Sequence, residues 1–408
     1  MKPLGPIPPG FDTVAGELAV GGRRASDLVA EAGSTPLFVY SAEAIRRRVA
    51  SLRATMPERL RLHYAVKANP FRPVLELLGG LTDGVDIASL GELEMILAAG
   101  LDPLRASFAG PGKRDAELEA AIGHGVTLNV ESEGEARRAL ATGERLGRAP
   151  RMAIRVNPEF ELRGSGMKMG GGAKPFGIDA ERVPALARAV IAAGVEWRGL
   201  HVFAGSQALD ATAVAETHGN ILDLAARLAD EIGAPLPHLN MGGGFGIPYF
   251  HGDTPLDIEA VGEHLAERFA RLPAALQESE IAIELGRYLV GEAGVYLARI
   301  VDRKKSHGQV FLVTDGGLHH QLAASGNFGT VVRRNYPAAI ATRFDDPPAE
   351  EASIVGCLCT PLDRLVDQAL LPRASEGDLV AVFCAGAYGA TASPSAFLGH
   401  EAARELLV

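Results

Sequence analysis

His63-Tyr64-Ala65-Val66-Lys67-Ala68-Asn69-Pro70 closes the first of eight short apolar runs, and these runs decide the fold. Between the runs lie segments rich in Ala, Leu, Glu and Arg, which are typical of helices. Strands that alternate with helices indicate parallel βαβ units, and eight units predict a (β/α)8 barrel of the TIM type. A doubly wound open sheet is the alternative. The eight runs are Leu62–Val66, Val85–Ala88, Ala106–Ala109, Thr127–Val130, Met152–Val156, Gly199–Phe203, His238–Met241 and Ile281–Glu284.

The pattern changes near residue 286, where helical periodicity fades and β-rich runs appear between Gly, Pro and Asn residues. This change predicts an α/β protein whose C-terminal domain is a mainly antiparallel β structure. Residues 1–35 contain a strand-like segment, Leu18–Val20, and are expected to join that β domain. We therefore predict a barrel over residues 36–285 and a β domain over residues 286–408.

Length and composition restrict the class of protein. The 408 residues suffice for two domains, and 47% hydrophobic with 22% charged residues is the profile of a soluble globular protein. A formal net charge of -10 argues against nucleic acid or an anionic membrane as a partner. No stretch reaches the roughly 18 to 20 apolar residues of a membrane span, and no apolar signal core is visible. Three cysteines are too few for a secreted disulfide framework, so we expect a cytoplasmic protein.

Lys67 directly follows an apolar run, at the end of the predicted barrel where the active site lies. A partly desolvated lysine has a lowered pKa and becomes a nucleophile toward aldehydes. The alternative is a lysine at the end of a strand that reaches into solvent.

Two further segments have the composition of an anion site. Three consecutive glycines in Asn240–Gly246 allow close approach of the backbone, and their N–H groups can hold a phosphate. Glu284-Leu285-Gly286-Arg287 adds an acid that can accept a hydrogen bond from a ring nitrogen, and an arginine for a phosphate or carboxylate. A tight turn and a surface ion pair are the alternatives for these two segments.

The predicted β domain adds the segments Gly356–Asp363 and Ala385–Gly389. Cys359 can be a proton donor at an interface, or simply a small packing residue. The Cys357-x-Cys359 pair has no further Cys or His nearby in sequence, and His319-His320 lacks the spacing of a ligand pair. We therefore expect no metal site.

Taken together and in this order, the motifs resemble the fold-type III PLP-dependent decarboxylases, the family of the diaminopimelate, ornithine and arginine decarboxylases. The resemblance extends over nearly the full length, from the segment Thr35–Tyr40 to Ser395–Gly399. It implies pyridoxal 5′-phosphate (PLP) as the cofactor, a PLP-binding barrel and a homodimer with shared active sites.

The resemblance also implies a role for individual residues. Lys67 forms the Schiff base with PLP, and Glu284 pairs with the pyridinium nitrogen, which keeps the ring a strong electron sink. Cys359 reaches the active site of the partner subunit and protonates the carbanion after CO2 leaves. The remaining cofactor-binding residues are Asp86, Arg155 and Phe203, together with Ser206, Gly243, Gly244, Gly286, Arg287 and Tyr388 toward the phosphate.

Two positions depart from the family pattern. Phe203 replaces a histidine that stacks on the cofactor ring, and it can stack but cannot carry charge. Thr360 replaces an acidic residue that binds the distal amino group of the substrate, and a neutral hydroxyl cannot pair with an ammonium. Free lysine, ornithine or diaminopimelate is therefore not the expected substrate.

The segments Asp315–Phe328 and Val331–Pro337 resemble a subgroup, the exosortase-associated decarboxylases and the butirosin-pathway enzyme that decarboxylates a carrier-bound glutamyl group. This likeness implies a substrate tethered to an acyl-carrier protein. Arg333 and Arg334 would suit a carboxylate or a phosphopantetheine. The expected substrate-binding residues are Arg333, Tyr336, Thr360 and Asp363.

Three other functions are alternatives. A diaminopimelate-type decarboxylase would act on a free amino acid. An amino-acid racemase of the same fold would need a tyrosine as a second base, and Glu284 and Cys359 argue against it. A non-enzymatic PLP carrier would lack the β domain and the proton donor.

Overall fold

Eight parallel strands close into a barrel in the computed structural model, which describes residues 1–327 and 333–408. Each strand pairs with its neighbours along the chain, and the pairing of strand 8 with strand 1 completes the cylinder. The predicted (β/α)8 barrel is confirmed, and an open sheet is excluded because it would have two unpaired edges. Numbered along the chain, barrel strands 1 to 8 are Arg61–Ala65, Gly84–Ile87, Ala106–Phe108, Thr127–Val130, Arg151–Asn157, Glu196–Val202, His238–Asn240 and Glu280–Leu285.

Helices connect the barrel strands, and polar side chains fix where several of them begin. The Ser89 and Ser132 hydroxyls accept the N–H groups of Glu92 and Glu135 at 3.1 and 3.0 Å, which satisfies donors that have no partner within the helix. The helices around the barrel are Arg72–Gly79, Leu90–Ala98, Asp115–His124, Glu133–Leu146, Val183–Ala192, Ala211–Ile232 and Ile258–Ala270, preceded by Ala42–Thr55.

The chain divides into two compact units. The barrel unit comprises residues 49–247 and 255–286, and the β unit comprises residues 1–48, 248–254 and 287–408. The strand Leu37–Tyr40, which we expected in the barrel region, belongs to the β unit, where it pairs with Gly294–Ser306 and Arg404–Leu407. A short run of four buried residues has no periodicity that would tell which sheet receives it.

The main sheet of the β unit is a mixed sheet in which most neighbouring strands are antiparallel, as the sequence predicts. Among the described strands of this sheet, two pairs are parallel: Gln309–Thr314 with Glu350–Val355, and Arg404–Leu407 with Leu37–Tyr40. The other strands of this sheet are Gly294–Ser306, Ala338–Ile340, Arg364–Leu371 and Leu379–Phe383. Asp12–Val14, Glu17–Val20 and Arg23–Arg24 form a separate three-stranded sheet, and helices lie at Ala25–Ala32 and Arg287–Val290.

One hydrophobic cluster holds the β unit together. Leu18 and Leu28 from the N-terminal segment pack in it with Val39, Val295 and Phe383, all almost fully buried. Burial of a side chain of this size contributes roughly 1.5–3 kcal/mol. The N-terminal residues are thus part of this core.

Three residues of the subgroup segments, Phe328, Val331 and Val332, lie outside the described residues. Within residues 1–327 and 333–408, no helix combines the length and apolar character needed to cross a bilayer.

Candidate active site

Lys67 lies in a short 3-10 turn, Val66–Ala68, immediately after barrel strand 1. Its Nζ is 3.8 Å from Oε1 of Glu284, which comes from the carboxyl end of strand 8. The lysine side chain is 47% exposed and the glutamate side chain 5%. An accessible amine and a buried carboxylate therefore face each other at the end of the barrel where TIM-barrel enzymes have their active sites.

Three cationic or hydrogen-bonding partners surround the Glu284 carboxylate. Burial by itself raises the pKa of Glu284, but the hydrogen bond from His201 and the charges of Lys67 and Arg155 outweigh it and lower the pKa to about 2. The His201 Nε2 to Glu284 Oε2 distance is 3.2 Å. Glu284 is therefore an ionised carboxylate at neutral pH despite its burial.

Phe203 follows barrel strand 6, two positions beyond His201. The centroid of its ring lies 5.5 Å from Nζ of Lys67. The structure thus brings together Lys67, Phe203 and Glu284, which are an amine, an aromatic face and a buried acid.

Asp86 on strand 2 lies in a buried polar network inside the barrel. Its Oδ2 is 3.3 Å from Nδ1 of His63, and its Oδ1 accepts hydrogen bonds from the Ser107 hydroxyl and, at 3.4 Å, from the Asn240 amide. Burial lowers the pKa of His63, but the Asp86 carboxylate outweighs this effect and raises it overall. Asp86 therefore holds the interior of strands 1, 2, 3 and 7 together by charge and hydrogen bonds.

Arg155 on strand 5 forms a buried ion pair with Glu131, at 2.8 Å between Nη1 and Oε1. The same carboxylate accepts the N–H groups of Gly110 and Gly177 at 2.5 and 3.0 Å. Burial raises the pKa of Glu131, but the Arg155 charge and these bonds hold it below its usual value. This pair fixes Arg155, whose positive charge in turn stabilises ionised Glu284.

The glycine loop after strand 7 packs directly against strand 8. A Cβ on Gly243 would lie 2.2 Å from the carbonyl oxygen of Glu284, and Gly244 has a φ of +87°. Both positions therefore require glycine. Within the described chain, no acceptor bonds to the N–H of Gly243 or Gly244, so these two donors are available to an anion.

Ser206 and Gly286 border this loop within the barrel unit. Gln207, the residue after Ser206, holds the end of the loop. Its side-chain amide donates to the Ile247 carbonyl at 2.6 Å and accepts the Ile247 N–H at 3.2 Å. A Cβ on Gly286 would lie 2.8 Å from the Cβ of Ala68. The turn that carries Lys67 and the end of strand 8 therefore meet closely only because residue 286 is glycine.

The expected phosphate residues Arg287 and Tyr388 lie in the β unit, where they form an aromatic cluster. Nη1 of Arg287 donates to the Tyr249 hydroxyl at 2.7 Å, and its guanidinium lies 4.8 Å from the centre of the Tyr388 ring. Burial by itself lowers the pKa of Arg287, but the neighbouring tyrosine oxygens outweigh this effect and raise the pKa overall. Tyr336 is buried and packs 4.7 Å from the Tyr249 ring. Arg287 is a permanently charged group held by aromatic rings.

The remaining predicted residues are also in the β unit. Cys359 is exposed, and the Thr360 hydroxyl accepts the N–H of Leu362 at 3.3 Å. Arg333 donates to the Leu362 carbonyl at 3.3 Å. Asp363, expected to bind substrate, is buried, and its carboxylate accepts the N–H groups of Leu318 and Leu358 at 2.6 and 2.9 Å. These contacts favour a positioning role for Asp363.

Sequence reasoning did not include His201, Glu131 or His63 among the site residues. The signal was present for each: His201 and His63 interrupt apolar strand runs, and Glu131 directly follows strand 4. Polar residues at such positions are buried in a parallel barrel and need partners.

A cavity of about 410 Å³ lies at the opposite end of the barrel, among the amino-terminal ends of the strands. Arg61, Arg105 and Glu280 are part of its lining. This end of a TIM barrel serves stability, so the cavity is not assigned to the chemistry.

A barrel with an amine, an aromatic ring and an ionised carboxylate at its carboxyl end, beside a glycine loop with unbonded amides, defines a PLP enzyme of fold type III. Residues 42–291 match the family described as "Pyridoxal-dependent decarboxylase, pyridoxal binding domain". The chain belongs to this family, the fold-type III PLP-dependent decarboxylases, and is a carboxy-lyase that acts on an amino acid.

Known proteins resemble the chain over almost its whole length. It is 35% identical to the L-glutamyl-[BtrI acyl-carrier protein] decarboxylase of Niallia circulans, over 91% of this chain and 88% of that protein. It is 32% identical to the diaminopimelate decarboxylase of Methanothermobacter thermautotrophicus, over 91% and 86%. The crystal structure of Helicobacter pylori diaminopimelate decarboxylase complexed with L-lysine is 25% identical, with a TM-score of 0.81 and 94% coverage of both chains.

Proposed function

We propose that the substrate is an amino acid tethered to an acyl-carrier protein. The observation that carries this proposal is Thr360, a neutral residue where recognition of a distal ammonium calls for a carboxylate. Its hydroxyl is turned to the N–H of Leu362. A carrier-bound amino acid has no need of a distal charge, and the similarity to the carrier-protein decarboxylase of Niallia circulans supports the same substrate class.

We propose that Lys67 binds the cofactor covalently and that Glu284 holds a proton on its ring nitrogen. PLP, when bound, supplies the electron sink that makes loss of CO2 from the α-carbon feasible. The described residues fit this group, because Glu284 is ionised and buried and Phe203 offers a ring face beside Lys67. The unbonded N–H groups of Gly243 and Gly244 suit its phosphate. Asp86, Arg155, Ser206, Gly286, Arg287 and Tyr388 stay predictions as cofactor contacts.

Cys359 is proposed to return the proton to the α-carbon at the active site of a partner subunit in a homodimer. Its exposure on the β unit suits a group that acts on another chain. Since a proton-donating thiol must stay reduced, we also propose a cytoplasmic location. Arg333 and Tyr336 are proposed to contact the substrate or its carrier arm.

The test compares CO2 release from carrier-tethered amino acids with that from the same amino acids free, using PLP-loaded enzyme. We expect release only from the tethered set, and none from Lys67→Ala, whose PLP absorbance should also be lost. Thr360→Asp should gain activity on free diamino acids, because it supplies the missing carboxylate. Release from free diaminopimelate by the unchanged enzyme would refute the carrier proposal, and loss of optical rotation without CO2 would indicate a racemase.

A further inference from the structure

His319, Cys357 and His400 come together in the β unit, although they lie far apart in the sequence. One ring nitrogen of each histidine and the cysteine sulfur all lie within 4.8 Å of one another. Sγ of Cys357 is 3.9 Å from Nε2 of His400, and the rings of His319 and His400 are 4.9 Å apart between centroids. None of these three side chains has a part in the chemistry proposed above.

His319 is the unusual member of this group, because its side chain is fully buried. Among the residues that the structure describes, neither Nδ1 nor Nε2 of this imidazole has a hydrogen-bond partner. Buried polar atoms are almost always bonded, so two unsatisfied nitrogens on one buried ring require an explanation. A metal ion would use the lone pair of one of them.

Hydrogen bonds around the group fix the backbone segments that carry it. Asp363 accepts the N–H of Leu318, the residue before His319, and the N–H of Leu358, the residue after Cys357. Nε2 of His320 lies 2.8 Å from the carbonyl of Glu401, the residue after His400. Each of the three candidate ligands is therefore next in the chain to a residue whose backbone is held by a hydrogen bond.

We propose that His319, Cys357 and His400 bind a divalent transition metal, Zn²⁺ in particular. Two imidazoles and one thiolate are a donor set that Zn²⁺ favours, at about 2.0–2.1 Å for nitrogen and 2.3 Å for sulfur. Those bond lengths put tetrahedral ligands roughly 3.5 Å apart, so the side chains need to close by only about 1 Å. His320 is not a ligand, since Nδ1 lies 3.1 Å from the Tyr296 hydroxyl.

Three protein ligands leave the fourth tetrahedral position open. Closed structural zinc sites have four protein ligands, whereas an open position accepts water or an anionic ligand. The expectation of no metal site rested on sequence spacing alone. Folding brings His319 and His400, which are distant in sequence, next to Cys357.

The test is a Co²⁺ titration of the full-length, PLP-loaded protein after treatment with a chelator, with no affinity tag. We expect one equivalent of Co²⁺ per chain, visible bands of tetrahedral cobalt, a sulfur-to-cobalt charge-transfer band, and displacement by Zn²⁺. Cys357→Ser should lose the charge-transfer band and bind Co²⁺ about 10- to 100-fold more weakly. The matched control is Cys359→Ser, which lies two residues away and outside the group. It should keep both the charge-transfer band and the full affinity for Co²⁺.

His400→Ala is the second variant, because residue 400 is exposed and the loss of its side chain is tolerable for folding. It should weaken Co²⁺ binding to a similar degree while PLP absorbance stays normal. Absence of stoichiometric Co²⁺ binding by the unchanged protein would overturn the proposal. The proposal would also be overturned if Cys357→Ser kept the sulfur-to-cobalt charge-transfer band or if Cys359→Ser lost it. None of these outcomes depends on the decarboxylation assay, so a wrong substrate would leave the metal result intact.

Discussion

Replacement of Glu284 by glutamine removes the buried negative charge beside Lys67 while it preserves the shape of the side chain. The amide can still accept the hydrogen bond from His201. What disappears is the attraction between the carboxylate and the charges of Lys67 and Arg155. The effect of Glu284→Gln on stability and on turnover is therefore mainly electrostatic.

The size of this effect follows from the pKa of Glu284, which is lowered from 4.5 to about 2. One pKa unit corresponds to roughly 1.4 kcal/mol, so the folded barrel favours the carboxylate by about 3 kcal/mol. Because the folded pKa is lowered, this stability is present above the unfolded pKa of about 4.5 and is lost as the pH falls toward 2. The glutamine variant has no such pH dependence.

The assay is urea unfolding of the cofactor-free protein at pH 7 and pH 3, since bound PLP would add its own stabilisation. We expect Glu284→Gln to be less stable by about 3 kcal/mol at pH 7, and by roughly half of that at pH 3. The matched control is Glu280→Gln on the same strand, whose side chain is 50% exposed. It should cost no more than about 1 kcal/mol at either pH.

The same variant tests the catalytic role. A hydrogen bond to a charged group contributes roughly 1.5–3 kcal/mol, so turnover should fall about 10- to 100-fold if Glu284 holds the proton on the ring nitrogen. Full turnover in Glu284→Gln would refute that role. A stability difference that stays constant between pH 7 and pH 3 would refute the electrostatic reasoning.

Subunit mixing and a glycine substitution test two other parts of the site. The inactive variants Lys67→Ala and Cys359→Ala, mixed in equal amounts, should regain about a quarter of the activity of the unchanged enzyme. The reason is that half of the dimers are then mixed, and each mixed dimer has one of its two shared sites intact. No recovery after subunit exchange would contradict shared sites. Gly243→Ala should lower the free energy of unfolding by about 1–3 kcal/mol, because its Cβ would meet the carbonyl of Glu284 at 2.2 Å. Gly112→Ala, with open space around its Cβ, is the control, and equal melting temperatures would contradict the argument.

The eight barrel strands could be predicted from the sequence because a parallel strand covered on both faces is a short apolar run. Lys67 and Glu284 could each be placed at the carboxyl end of the barrel for a related reason. Each follows or ends such a run, and a barrel gathers the carboxyl ends of all its strands at one mouth. The strand Leu37–Tyr40 could not be assigned to its sheet in this way, because its pairing partners come from residues far along the chain.

The amino-acid sequence by itself determined the periodicities, the glycines and the chemistry of each side chain, because these are local properties. Tertiary structure decided which distant side chains meet: that His201 bonds Glu284, that Arg155 is held by Glu131, and that His319 lies beside Cys357. Burial and distance set the pKa of a carboxylate and the ligands of an ion. Both quantities come into existence only when the chain folds.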